Sequence, residues 1–183
     1  MSQKDQRLLN PLNGYPEEIG VWLAALQDAR ARTLRVVEKI EPHWLDFVPQ
    51  DDGESISTIL YHLAAIETSW LYEEILQLPF PPEIEALLPH DVREANGKLT
   101  PVNDPMPEHL NRLAKVRERL LRDFLSMSAA DFQKLRQLSD YDVSPMYVLH
   151  HLLQHEAEHR SQINAIAMKA KMSRGTSMPE EKS

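Results

Sequence analysis

The sequence predicts an all-α protein, an antiparallel four-helix bundle with a long crossover between its second and third helices. Four stretches repeat apolar residues at a period of about 3.6, and no stretch alternates at the period of about 2 that marks a half-buried strand. A proline-rich stretch without any such period, residues 79–107, divides the four into two pairs. At 183 residues and 42% hydrophobic, the chain has enough apolar surface for one core. A single domain over 1–183 is expected, with its core in 16–168 and polar termini outside it.

Residues 1–14 end in Asn10-Pro11-Leu12-Asn13-Gly14, a turn-rich lead-in. The first helix is expected over 16–40. Pro16 stands in its first turn, and Glu17 and Glu18 follow where acidic groups suit the positive end of the helix dipole. Ile19, Trp22, Leu23, Leu26, Thr33, Val37 and Ile40 keep the period, and Pro42 ends it. The link 41–54 carries turn signals at Pro42, Pro49 and Asp51-Asp52-Gly53, with Trp44, Phe47 and Val48 folded back onto the core. Ser55 caps a second helix whose face of Ile56, Ile59, Leu60, Leu63, Ile66, Trp70 and Leu71 runs until Pro79. His62 falls toward the edge of that face, at a seam that solvent reaches.

Between Leu78 and Glu108 the chain holds seven of its thirteen prolines, and only Glu83 to Leu88 has the makings of a helical turn. Such a connection is either a lid or a wrap around the outside of the bundle. The third helix, from Pro107 to about Ser126, is expected to bury Leu110, Leu113, Leu120, Leu121 and Phe124. Arg112, Lys115, Arg119 and Arg122 share one face of it. With Glu108, Glu118 and Asp123 nearby, that face reads as a solvated exterior rather than an anion-binding stripe. Ser128, three residues before Asp131, caps a short helix from Asp131 to Leu138, which Ser139-Asp140-Tyr141-Asp142 breaks. Ser144 as N-cap and Pro145 at the first helical position open the fourth helix, periodic to Met168; Lys169 to Ser183 is expected to fray.

Composition narrows the function. A net charge of −8 and a pI near 5.5 argue against nucleic acid as a partner, because phosphate binding needs a cationic footprint. No apolar run is long enough to span a membrane, and Met1 to Arg7 lacks the apolar core of a secretory signal, so the cytoplasm is the expected location. With no cysteine, the chain has neither disulfides nor thiolate ligands, and any metal must be held by histidine and carboxylate.

Such ligands stand together in the fourth helix. His155 and His159 are four apart, so a helix projects both imidazoles from one face about one turn apart, as a chelate needs. They interrupt an apolar stripe of Val148, Leu152, Ile163 and Ile166, where a histidine requires a partner. A lone His-x-x-x-His is weak evidence, since paired histidines also occur in ordinary cores and on surfaces; His62, on another apolar face, strengthens it. His151, one turn before His155, is a candidate fourth ligand, a pocket-lining donor or, preferred here, a group behind the ligands that orients them. Glu156 could orient a histidine, act as a base, or pair with Arg160 four residues on. His43, His90, His109 and His150 read as ordinary.

Residues Ser55 to Ala64, containing His62, together with His151 to Ile163 in an all-helical chain of this size, resemble the DinB/YfiT-like superfamily of metal-binding four-helix bundles. The resemblance covers roughly residues 16–168. It implies that His62, His155 and His159 bind one divalent metal. In the family the last histidine is commonly followed by Arg-x-Gln-Ile, matched here by Arg160, Gln162 and Ile163, with Ser161 where glycine is usual. Gln162 joins His151 and Glu156 as a candidate support for the ligands. The resemblance also implies a homodimer.

Three protein ligands leave coordination positions open, as catalytic sites do. The metal could act on water for hydrolysis, or hold a small thiol as thiolate for attack on an electrophile. Zinc or nickel is expected first, iron or copper as alternatives. The leading reading is therefore a metal-dependent enzyme acting on a small molecule, either a transferase using a low-molecular-weight thiol or a hydrolase; no general base stands out. The alternative is a non-catalytic metal- or ligand-binding stress-response protein.

Overall fold

A computed structural model describes residues 8–50 and 53–175. Four long helices form the bundle: α1 (Glu17–Val37), α2 (Ile56–Ser69), α4 (Met106–Phe124) and α6 (Pro145–Gly175), with short helices α3 (Pro82–Glu85) and α5 (Ala129–Gln133) in the connections. The lead-in from Leu8 is irregular and folds back on α1, where Leu12 N–H donates to Gly20 O. A Cβ at Gly20 would lie 2.9 Å from Leu12 O, so only glycine lets the segments approach this closely.

The three serine caps expected from sequence are present. Ser55, Ser128 and Ser144 accept from the backbone N–H of Thr58, Asp131 and Tyr147 respectively. Elsewhere the boundaries differ. The first helix stops at Val37, short of Ile40, and Pro42 opens a 3-10 turn, Pro42–Trp44, instead of merely ending a helix. Val48 is exposed and Leu45 buried in its place. The second helix does not run unchanged to Pro79: from Trp70 to Leu76 it widens into a π-helix, closed by Gln77 at φ 54°. After α5, the residues expected to continue a helix to Leu138 instead form a two-stranded ladder, β1 (Arg136–Gln137) against β2 (Asp142–Val143). The last helix continues past Met168 to Gly175; the remaining tail and Asp51 and Asp52 lie outside the described residues.

Cross-helix bonds give the directions. Arg30 meets Glu156 and Trp22 meets His150, so α1 and α6 run the same way. Ser57 meets His109 and Glu67 meets Arg117, so α2 and α4 also run together, antiparallel to the first two. Joining parallel neighbours requires a chain that returns the full length of the bundle, which is why the α2–α4 crossover is long. It is a wrap with anchors: Ile84 and Val102 are buried, Val102 N–H donates to Thr58 Oγ1, and the Tyr61 hydroxyl donates to His90 O.

The apolar core has two large parts and a small third one of Tyr61, Ala65 and Val102 under the crossover. One large part gathers Leu23, Leu26, Leu71, Leu120, Phe124 and Leu152; the other gathers Val37, Ile59, Leu63, Leu113, Ile163 and Ile166. Between them along every helix sits one buried charge: Arg30 on α1, Glu67 on α2, Arg117 on α4 and Glu156 on α6. Burial alone would raise the Glu67 pKa, yet Arg117 and Arg30 outweigh it and hold the carboxyl below its ordinary value. The third helix departs from expectation at two residues as well. Leu110 is exposed, lining a groove between α1 and α4, and Arg112 is buried, donating to Leu87 O and Asp104, so the four basic residues do not form one solvated stripe.

Candidate metal centre

The capped α2 is buried on every face from Ile56 to Ala65, and this takes His62 down to 5% exposed, deeper than the edge position its wheel angle suggests. Facing it, α6 offers His155 and His159 half-buried. The stripe of α6 that points into the core passes through Leu149, Leu152, Glu156, Ile163 and Ile166, so the histidines flank the apolar face instead of occupying its middle.

The three rings converge through the same atom. His155 Nε2 is 3.1 Å from His62 Nε2 and 2.9 Å from His159 Nε2, and one nitrogen of each residue lies within 4.8 Å of the others. Hydrogens cannot satisfy this arrangement in neutral rings. His159 Nδ1 lies 2.7 Å from Gln162 Oε1, which only accepts, so the proton is on Nδ1 and His159 Nε2 is a lone pair. His155 Nε2 must then carry the proton that meets His159, and His62 Nε2 is left at most a share of it. The two contacts cannot both be full hydrogen bonds.

Protonation offers no escape near neutral pH. Desolvation, then the charges of His159 and Arg93, lower the His62 pKa to about 4; desolvation, then His159, His62 and His151, lower that of His155 to about 3. Burial also lowers His159, against the opposing pull of Gln162, Glu158 and Glu156. The rings are therefore neutral, the form that ligates metals. A cation in their midst resolves the conflict. His62, His155 and His159 would hold such an ion through neutral imidazole nitrogens, and the ion would supply Lewis acidity there.

The supporting residues fall into different places. Gln162 fixes the His159 tautomer, as a group behind a ligand does. His151 stacks on Trp70, the first π-helical residue, at 4.0 Å, and its ring lies 5.8 Å from that of His155, lining the cluster from the α6 side. Glu156 instead gives both carboxylate oxygens to Arg30, and Arg160 donates to Ala29 O; the expected Glu156–Arg160 pair is replaced by a tertiary one. His62 Nδ1 is buried with no hydrogen-bond partner among the described residues. Of the histidines read as ordinary, His43 and His150 are exposed, and His90 engages Tyr61 through its backbone. His109 is fully buried, with Nε2 2.8 Å from Ser57 Oγ and Nδ1 3.2 Å from Arg112 Nη1. Arg112 only donates, so Nδ1 accepts and Nε2–H faces Ser57: the pair braces α2 against α4 and leaves no base for a serine nucleophile.

Two of the open spaces border Gln162 or the buried arginines. A pocket of about 300 Å³ on the α2–α6 seam shares Gln162 with the cluster and is walled by Ile59, Ile166, Pro49 and Gly53. A larger groove of about 720 Å³ lies between α1 and α4, lined by Leu34, Met106, Leu110 and Leu113 with Arg30 and Arg117, and no cluster histidine lines it.

Comparison with known proteins agrees with this fold. YfiT from Bacillus subtilis, described as a probable metal-dependent hydrolase with an unusual four-helix bundle topology, superposes with a TM-score of 0.59 at 16% identity, over 88% of this chain and 93% of its own. A conserved protein from Enterococcus faecalis superposes with a TM-score of 0.54 at 13% identity, over 80% of this chain and 93% of its own. No curated protein matches the sequence. The sequence model of the DinB superfamily matches residues 25–163, through α1, α2, α4 and all three clustered histidines, and the chain belongs to that superfamily.

Proposed function

We propose that His62, His155 and His159 hold one divalent metal ion, zinc or nickel ahead of iron or copper, and that the protein is a metal-dependent enzyme acting on a small molecule. The observation that carries this is the convergence of three neutral Nε2 atoms whose contacts no placement of protons satisfies. When bound, the ion would supply a Lewis acid able to ionise water or a small thiol near neutral pH. The chain's residues hold that site in one tautomer through Gln162, exclude solvent on the His62 side, and present an aromatic wall of Trp70 and His151.

Hydrolysis is the first reaction to test, because YfiT is described as a probable metal-dependent hydrolase. Transfer to an electrophile from a low-molecular-weight thiol is the second, and the chain's lack of cysteine means that the thiol comes from solution. A homodimer is the proposed assembly. Metal analysis of protein purified without an affinity tag should find a single ion per chain. His62→Ala should weaken zinc binding by more than the roughly 10- to 100-fold that loss of a ligand's own hydrogen-bond partner costs. Specific metal uptake that is absent, or indifferent to His62→Ala, overturns the reading. Esters, amides and electrophiles, assayed with and without thiol, then separate hydrolase from transferase.

A further inference from the structure

The two helices that carry the histidines are also gripped by a single guanidinium of a third. Arg30 of α1 donates from Nη2 to Glu67 Oε2 of α2 at 2.7 Å, and from Nε to Glu156 Oε1 of α6 at 2.9 Å. Glu67 is five residues beyond His62, and Glu156 lies between His155 and His159. Arg117 seconds the grip, binding both oxygens of Glu67 at 2.7 and 2.8 Å while donating to Leu26 O. All four charged residues are at least nine-tenths buried.

Apart from the Trp70–His151 stack, the remaining contacts between the second helix and α6 near the histidines are aliphatic, through Ile59, Leu63, Ile163 and Ile166. Aliphatic side chains tolerate a slide or twist of one helix on another far better than a forked, charge-assisted pair does. We propose that Arg30 is a positioning residue for the histidine cluster: by holding Glu67 and Glu156 on one planar group, it fixes the offset of α2 against α6 at which His62 meets His155 and His159. This rests on the metal-site reading for its purpose, though not for its geometry.

The test compares the parent protein with Arg30→Lys, whose ammonium keeps the charge but lacks the rigid planar fork, and with methionine at all four network positions. The second variant removes every buried charge at similar volume, a replacement that buried ion networks often accept with no loss of stability. Zinc titration, the absorption of cobalt(II) protein, and metal-free NMR cross-relaxation between the His62 and His155 rings, 5.0 Å apart here, provide the readouts. In folded variants, zinc affinity should drop by roughly 10- to 100-fold, the cobalt spectrum should change, and the ring-to-ring signal should weaken. An unchanged affinity and ring signal in a cooperatively folded variant overturns the positioning role. If the parent takes up no zinc, the metal reading fails by itself, and the ring signal alone decides: its loss in the variants supports Arg30 and its persistence overturns it.

Discussion

The Arg30–Glu67–Arg117–Glu156 network and the His62–His155–His159 cluster share α2 and α6, yet in the first every charge faces an opposite charge, while in the second three ring nitrogens meet with too few protons to complete their bonds. Desolvation acts on both. In the network, ion pairing outweighs it at Glu67, which stays charged; in the cluster nothing opposes it strongly enough, and the rings are kept neutral. A buried polar group whose bonds are complete braces a fold, and one left incomplete in a rigid setting is poised to bind. That contrast separates the structural polar core from the candidate site without reference to any relative.

The sharpest way to break the contrast is to remove one charge. Arg30→Met leaves Glu67 and Glu156 without their shared partner, and should cost about 3–5 kcal/mol in urea denaturation. A smaller loss would mean that water reaches the network. Zinc should stabilise the parent by about 2.7 kcal/mol at a hundredfold excess over Kd, an increment that vanishes in His62→Ala. In metal-free protein the opposite sign is expected: His155→Leu removes a buried imidazole whose bonds are incomplete and should be neutral or stabilising by up to about 1 kcal/mol.

Acid sharpens the comparison further. His62 and His109 have folded pKa values of about 4, and His155 about 3, all below the unfolded value of about 6.5. Between 6.5 and 4 the unfolded chain takes up protons that the folded one refuses, so the stability these rings permit is complete above about 6.5 and declines as pH falls through that window. Metal binding to the folded site should resist acid longer than ordinary histidines allow, weakening nearer pH 4 than 6.5, as zinc titration across that range would check. The smallest effect belongs to an exposed pair: Arg32→Ala, which loses Asp28, should change stability by roughly 0–1 kcal/mol.

What could be read from the chain was what depends on neighbours in sequence. Serine caps act over three residues and a histidine chelate over four, so Ser55, Ser144 and the His155–His159 spacing announce themselves. Partners far along the chain could not be read. Glu156 has a plausible mate four residues away in Arg160, and only the packed bundle shows that Arg30, 126 residues back, takes its place. Arg112 fits a solvated stripe until the crossover supplies Asp104 and Leu87 O. No proline or glycine stands just before the π-helical turn at Trp70, and Leu110 obeys the period of a buried residue while lining a groove between α1 and α4.

The long parallel contact of α1 with α6 also sets a schedule. It is the most extensive helix–helix contact of the bundle, and it joins the first long helix made to the last. During synthesis at roughly 5–20 residues per second, the 126 residues separating Arg30 from Glu156 take about 6–25 s to emerge. For that interval α1 has no α6 to cover its apolar face and Arg30 no Glu156. A nascent chain halted before α6 thus exposes what chaperones bind, and folding to the native bundle waits until α6 has emerged.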